Sequence, residues 1–204
     1  MLKGYASPDL LTTYNQERQP GANFFVQQAF ARLVSRVFHG KGYDHEPELP
    51  DIMCELGYRY TEGAICPTDD ANFTKSVEDP YKPYVLPGGR VPHVALTSAQ
   101  GQLSSLDLIK QNFVLFTTET DSPWLEAAKK QIMPIDAFAI NASSTYRDKD
   151  GAAIETWKLT SGEALLVRPD GIIAWRSGAN ESRHDERLKQ ALDVILRGRW
   201  MRTI

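Results

Sequence analysis

The sequence predicts a protein of the α/β class, with apolar strands and amphipathic helices alternating in the second half of the chain. Two continuous apolar runs, residues 113–116 and 135–140, have the length of strands covered on both faces. Two further runs, residues 164–167 and 172–175, flank an Asp-Gly pair, which is a strong local signal for a β-hairpin. Apolar residues at helical spacing between and after these runs indicate helices that cover the sheet.

Length and composition fit one ordinary domain with an extension. The chain has 204 residues, of which 42% are hydrophobic and 24% charged, with a net charge of −3 and no long run of one sign at either end. We expect neither nucleic acid nor a membrane as partner, because no basic patch, membrane span or secretory signal is evident. Cys54 and Cys66 form no CxxC pair or disulfide framework, so we expect reduced thiols in a cytoplasmic protein.

Residues 1–38 are expected to form a helical segment of two helices. Ser7 is the predicted N-cap, with Pro8 in the first turn, where its missing N–H has no helical partner. The Pro-Gly pair at residues 20–21 should break the pattern before a second helix at residues 24–38. The apolar positions of this second helix are Phe25, Val26, Ala29, Phe30, Leu33, Val34 and Val37. So wide an apolar face should be covered by the rest of the chain, by a second copy or by a missing domain.

Residues 39–90 are expected to form an irregular arm, either an ordered linker or a cover over a neighbouring surface. Gly40 and Gly42 should end the preceding helix, since glycine suits the left-handed position after a helix. Six prolines between positions 47 and 87 forbid long regular elements. Residues 58–60 have the pattern of a short strand.

Residues 91–204 should form the α/β domain. A possible strand at residues 94–96 and a short helix at residues 106–109, capped by Ser104 or Ser105, precede the first buried strand.

A helix that starts at Ser122-Pro123 and runs through Ile132 should join the two buried strands, with Glu126 placed to pair with Lys130. After the hairpin, an amphipathic helix at residues 188–196 is closed by Arg197, Gly198 and Arg199. A parallel unit followed by a hairpin and a closing helix is the thioredoxin-like layout.

Four stretches follow each other over nearly the whole chain and carry a family resemblance. Residues 10–20 read Leu-Leu-x-x-Tyr-x-x-Glu-Arg-x-Pro, and residues 55–65 contain Tyr58-Arg59-Tyr60. Residues 87–93 contain Pro-Gly-Gly-Arg, and residues 166–176 contain Arg-Pro-Asp-Gly. In this order they resemble the flavin-dependent aromatic-ring hydroxylases of the phenol hydroxylase and polyketide hydroxylase type.

This resemblance implies a thioredoxin-like C-terminal domain that helps subunits to associate and covers the catalytic domains. The sequence has neither the GxGxxG loop after an N-terminal strand nor the Gly-Asp motif that would hold FAD. We therefore expect no cofactor and no hydroxylation by this chain alone, since oxygen activation belongs to the flavin. Thiol redox chemistry is excluded at residues 117–124, where a redox-active relative would carry CxxC, because they contain no sulfur.

Two hypotheses about function follow. In the first, the chain is a non-catalytic association module that forms a dimer through residues 24–38 and the thioredoxin-like domain. A separate chain with the flavin domain is the other possible partner. In the second, it is a cofactor-independent isomerase, cyclase or dehydratase acting on an aromatic or polyketide-like intermediate. Its candidate catalytic residues are Asp44, His45, Tyr58 and Tyr60, since a histidine beside carboxylates can act as a general base.

Other candidate sites are weaker. The histidines are scattered without metal-ligand spacing, so we expect no metal site. They are His39, His45, His93 and His184. Arg168 and Arg176 flank the hairpin and could bind an anion, although solvent-facing or ion-paired side chains are the simpler interpretation.

Overall fold

The computed structural model describes residues 4–39 and 41–197. The helices in this part of the chain are α1 (Leu10–Val37), α2 (Asp51–Leu56), α3 (Pro123–Lys129), α4 (Ala152–Trp157) and α5 (His184–Ile195). The strands are β1 (Ala95–Ser98), β2 (Gly101–Ser104), β3 (Phe113–Thr117), β4 (Ile135–Asn141), β5 (Tyr146–Arg147), β6 (Ala164–Val167) and β7 (Ile173–Arg176). A 3-10 helix spans Ser105–Leu108.

The strands form one sheet in the order β2-β1-β5-β4-β3-β6-β7. β3 and β4 are parallel and are joined by α3, while β6 and β7 form an antiparallel hairpin beside β3. α5 follows the hairpin. The protein is therefore an α/β protein with a thioredoxin-like domain preceded by a helical segment, which confirms the expected fold class.

The centre of the sheet explains why β3 is apolar throughout. Phe113 and Leu115 face a core that α3 and α5 cover, whereas Val114 and Phe116 face a second core. In the second core, the Trp157 indole of α4 stacks on Phe116 with ring centroids 4.7 Å apart. Every side chain of β3 is buried, as expected for a strand covered on both faces.

Residues 57–90 of the arm are ordered because they cover the free edge of β7. Backbone bonds run from Cys66 N to Ala174 O (2.8 Å), from Gly88 N to Ile173 O (2.8 Å) and from Ile173 N to Gly89 O (2.9 Å). An exposed sheet edge would leave such groups unpaired. The irregular segment thus completes the sheet.

The expected break at Pro20-Gly21 is wrong, because α1 continues through both residues. Proline removes the helical hydrogen bond to the carbonyl oxygen of Gln16. Pro20 itself is exposed, but the buried residues Glu17 and Gly21 hold the helix on either side of it. Gly21 is buried, and a Cβ atom there would lie 3.2 Å from Cε1 of Tyr58. The glycine therefore lets the arm approach the helix closely.

Several element boundaries also differ from the prediction. Ser7 and Pro8 precede α1, whose N-cap is Asp9. Residues 58–60 form no strand, only a single bridge from Tyr58 to Val77. Instead of the strand, the Arg59 side chain binds the surrounding carbonyl groups and holds the backbone of the arm.

α3 ends at Lys129, three residues before the expected end at Ile132. The expected pair of Glu126 with Lys130 is replaced by two others: Lys129 binds Glu126, and Lys130 reaches Asp185 at 2.6 Å. Gly40, Gly198 and Arg199, the expected terminators of two helices, lie outside the described residues.

Candidate functional site

One side of α1 exposes a row of apolar side chains, and we call this side the outer face. Most of its members lie on the side of the helix opposite the buried stripe, and the exposed fractions of its large side chains run from 38% for Phe30 to 68% for Val26. The outer face consists of Ala22, Phe25, Val26, Ala29, Phe30, Leu33 and Val37. An exposed apolar surface of this extent is characteristic of a protein contact.

The buried stripe of α1 is polar or small. The carboxamide of Gln28 donates to Pro47 O (3.1 Å) and accepts from Leu49 N (2.8 Å). The Arg32 guanidinium donates to Leu49 O and forms an ion pair with Asp51 at 2.7 Å. The second half of α1 is thus held to the arm by hydrogen bonds. Ala31 and Val34 are buried on this side, whereas the apolar residues of the outer face are exposed.

The first half of α1 is held by an ion pair between the buried Glu17 and the largely shielded Arg168. Glu17 accepts from both terminal nitrogens of Arg168, with Oε1 2.6 Å from Nη1 and Oε2 3.0 Å from Nη2. Ala64 N also donates to Glu17 Oε1 at 2.8 Å. Burial alone lowers the pKa of Arg168, but the hydrogen bonds to Glu17 and Asp170 outweigh it and raise the pKa of the guanidinium.

A second buried pair organises the arm. Arg59 Nη1 donates to Asn72 O (2.9 Å) and Lys75 O (3.2 Å), and Nη2 donates to Pro87 O (3.1 Å). Glu78 Oε2 lies 3.7 Å from Arg59 Nε. Burial raises the pKa of Glu78, while its hydrogen bond from the Tyr84 amide and the charge of Arg59 act in the opposite direction.

The four candidate catalytic residues do not form one group in the structure. The rings of Tyr58 and Tyr60 lie 6.0 Å apart, and Tyr58 also packs on Phe24 at 5.2 Å. Asp44 and His45 are exposed, and the contact given for the His45 ring is Nδ1 to Glu46 O at 2.8 Å. Burial raises the pKa of the Tyr58 hydroxyl, and Tyr60 adds to the shift.

The segment with Asp44 and His45 lies near a different part of α1 from the two tyrosines. The neighbouring Tyr43 packs on Phe30 and Phe38, with ring centroids 6.0 and 5.0 Å away. Phe30 is five residues beyond Phe25, on which Tyr58 packs. The described contacts therefore do not join the acid–base pair to the two tyrosines.

The basic side chains beside the hairpin are already paired. Arg176 donates to the carbonyl groups of Trp157 and Lys158 and pairs with Glu163 at 3.0 Å. Arg168 is bound to Glu17 and Asp170. These contacts match the ion-paired interpretation rather than an anion site.

A cleft of about 830 Å³ opens between the arm at residues 66–72, the end of β7 and α5. Cys66 lies at this cleft, and burial raises the pKa of its thiol to about 12. None of the four candidate catalytic residues lines the cleft.

The described residues offer neither a metal centre nor a membrane-spanning helix. Among residues 4–39 and 41–197, no cluster of three or more His, Cys, Asp or Glu side chains is suited to hold a metal ion. No helix in these ranges has the length and apolarity needed to cross a bilayer.

Sequence reasoning missed both buried ion pairs. Glu17 and Arg168 are 151 positions apart, and neither period nor spacing links them. The available signal was the resemblance itself, because Glu17 lies in the first of the four family-like stretches and Arg168 in the last. The structure joins these two stretches directly.

Relatives with known activity match almost the whole chain. 4-Methyl-5-nitrocatechol 5-monooxygenase of Burkholderia sp is 34% identical over 96% of this chain and 37% of its own length. Aklavinone 12-hydroxylase RdmE of Streptomyces purpurascens is 33% identical over 97% of this chain and 36% of its own. This chain thus spans little more than a third of the curated relatives that it matches.

Solved structures give the same picture. The match to the crystal structure of aklavinone-11 hydroxylase with FAD and aklavinone covers 97% of this chain and 37% of the hydroxylase chain. Its TM-score is 0.87 at 30% identity. The match to the flavin-dependent monooxygenase PieE, in complex with FAD and substrate, covers 96% of this chain and 41% of the PieE chain. Its TM-score is 0.74 at 27% identity. A family model described as "Aromatic-ring hydroxylase, C-terminal" matches residues 84–198. The chain therefore belongs to the family of aromatic-ring hydroxylase C-terminal domains.

Proposed function

We propose that this chain is an association module of an aromatic-ring hydroxylase, and that it catalyses neither hydroxylation nor thiol–disulfide exchange by itself. The observation that carries the proposal is the outer face of α1, where large apolar side chains are exposed side by side. Burial of such side chains is the main favourable contribution to protein association.

The partner that we propose for the outer face is the flavin-binding part of a hydroxylase. Curated relatives carry nearly two thirds of their length outside the region that this chain matches. The similar aklavinone-11 hydroxylase was crystallised with FAD. Since α1 lies within the matched region, the unmatched part of such a protein is the natural cover for its apolar side.

A second copy of this chain is the rival occupant. The dimer expected from the sequence, through residues 24–38 and the thioredoxin-like domain, remains a prediction. It differs from the proposed contact in one measurable respect, because a dimer forms in the pure chain without any flavoprotein.

The loop before α3 and the thiol of Cys66 support a non-catalytic role. The loop before α3 offers hydroxyl and carboxyl groups but no thiol. Cys66, with a pKa raised to about 12, stays protonated at neutral pH, and only the thiolate is a nucleophile. The cofactor-independent isomerase, cyclase or dehydratase remains the alternative hypothesis. Its residues Asp44 and His45 are separated from Tyr58 and Tyr60 in the described contacts.

Leu33→Asp is expected to weaken binding of the flavin-binding part by roughly 30-fold or more, the size of a hot-spot effect. Leu33 is 47% exposed in the middle of the outer face, and a carboxylate there would be desolvated on docking. Isothermal titration calorimetry measures the effect. The probes are the parts of the Burkholderia monooxygenase and of RdmE that precede the matched region, each purified with FAD.

Gln27→Asp serves as the matched control, because Gln27 is exposed on α1 beside the outer face and should leave the affinity unchanged. Size measurement of the pure chain runs in parallel. Failure of both flavoprotein parts to bind would overturn the proposed partner. A tight dimer that Leu33→Asp dissociates would assign the outer face to a second copy instead.

A further inference from the structure

The two halves of α1 are held in different ways. A helix of 28 residues is about 42 Å long, so its two ends contact different parts of the chain. The second half, with the outer face, is bonded to arm residues through Gln28 and Arg32. The first half reaches the sheet through Glu17, whose partner Arg168 directly follows β6.

Arg168 is fixed from several sides. Besides Glu17, it binds Asp170, with Nη2 2.6 Å from Oδ2 and Nε 3.1 Å from Oδ1. Its guanidinium carbon lies 5.8 Å from the centroid of the Tyr60 ring. A guanidinium with two carboxylates and an aromatic face has few alternative positions, because its planar fork matches the bidentate geometry.

The Glu17 carboxylate is equally confined. A Cβ atom on Gly63, whose φ is +118°, would lie 2.4 Å from Glu17 Cγ. The arm backbone therefore closes directly on this side chain, and Ala64 N donates to it. Glu17 is buried and Arg168 is largely shielded from solvent, with side-chain exposures of 6% and 12%.

The other described polar links between α1 and the domain lie at the end of α5. Arg197 Nη2 donates to Gln16 Oε1 (3.2 Å), next to Glu17 in sequence. The backbone bond from Ser7 N to Leu196 O, 3.3 Å long, precedes the helix. These contacts with the domain cluster at the first half of α1, while Gln28 and Arg32 hold the second half to the arm. The direction of α1 relative to the sheet therefore depends most directly on the contacts of its first half.

We propose that Arg168 is a positioning residue for association. Through its bidentate bond to Glu17 it fixes the direction of α1 relative to the sheet, so that the outer face is presented in one orientation. This inference rests on the proposed function. Preorganisation of this kind raises affinity because less orientational freedom is lost on binding.

The test combines affinity with a distance measurement in the full chain. Spin labels are attached to cysteines introduced at Gln27 on α1 and at Ala99 in the exposed turn between β1 and β2, since the native thiols are buried. Arg168→Met is expected to broaden the distance distribution and to lower the affinity for the flavin-binding part roughly tenfold. Arg187→Met is the control, because this half-exposed arginine pairs with Glu181, away from α1.

Each outcome has a defined meaning. A broadened distribution with reduced affinity and an unchanged near-ultraviolet spectrum of the buried tryptophans supports the inference. Unchanged affinity, or reduced affinity with an unchanged distribution, overturns it. Should Arg168→Met unfold, the milder Glu17→Gln, which keeps an acceptor for Ala64 N, decides by the same criteria. No binding by the unaltered chain would instead contradict the proposed function, so the two failures are distinguishable.

Discussion

Replacing Arg59 by Met is expected to lower the free energy of unfolding by about 3 to 5 kcal/mol, as when one member of a buried ion pair is removed. The side chain of Arg59 is fully buried and donates to three backbone carbonyl groups of the arm. Without it, these carbonyls and the buried Glu78 lose their donor or counter-charge. Urea denaturation followed by tryptophan fluorescence measures the loss.

The loss of stability in Arg59→Met should depend on pH, because Glu78 binds its proton differently in the folded and the unfolded chain. Burial already raises the pKa of Glu78, and the charge of Arg59 limits the rise. Removal of Arg59 should therefore raise it further. A carboxyl group with a raised pKa binds its proton more readily in the folded than in the unfolded chain, so stability falls as the pH rises above the ordinary carboxyl range. The variant should thus lose more stability at pH 7 than at pH 5.

Lys75→Met is the matched control for Arg59. The Lys75 ammonium lies over the Tyr84 ring at 5.3 Å, as the Arg59 guanidinium does at 5.5 Å, but it is exposed and binds only side-chain oxygens. Its loss should cost less than about 1 kcal/mol, as for exposed polar contacts. Equal losses for the two substitutions, or a loss for Arg59→Met that is independent of pH, would contradict the role assigned to Arg59.

Gly88→Ala is expected to detach the arm from β7. The φ of Gly88 is +89°, and a Cβ atom there would lie 1.8 Å from the carbonyl oxygen of Tyr60. This backbone cannot move away while Tyr60 N donates to Gly88 O and Gly88 N donates to Ile173 O. We expect a loss of at least about 3 kcal/mol, because overpacking against backbone and a strained φ act together.

Gly171→Ala separates the steric effect from the cost of a positive φ. Gly171 has a φ of +80°, but no atom lies within 4 Å of its added Cβ. Its substitution should cost only about 1 to 2 kcal/mol, the usual penalty for the left-handed region. Limited proteolysis within residues 57–89 should be faster for Gly88→Ala alone. Equal stability and proteolysis of the two variants would show that the arm does not depend on this close approach.

Local patterns predicted the elements that depend on local chemistry. The apolar run of β3 and the Asp-Gly hairpin of β6 and β7 were predicted because burial on both faces and turn geometry leave direct marks in the sequence. The continuity of α1 was not predicted, because the packing of Tyr58 on Gly21 outweighs the local effect of Pro20. The short strands β2 and β5 lack a distinct apolar period of their own.

The candidate site was predictable in part. The apolar positions of α1 were identified from their spacing, together with the need for a cover. Their outward direction depends on which side of the helix the arm binds, and that is decided by Gln28, Arg32 and Glu17 through partners distant in sequence. Polar residues on a helix ordinarily indicate its solvated side. In α1 the polar residues Thr13, Glu17 and Gln28 lie on the buried side instead.

The visible absorption spectrum of the purified chain after incubation with FAD tests the central claim most directly. Free FAD is removed by gel filtration, and the spectrum is recorded for the chain alone and for its mixture with the flavin-binding part of RdmE. We predict that flavin absorbance is absent from the chain alone and that the chain co-elutes with the flavin-binding part. Tightly held FAD in stoichiometric amount on the chain alone would contradict the account.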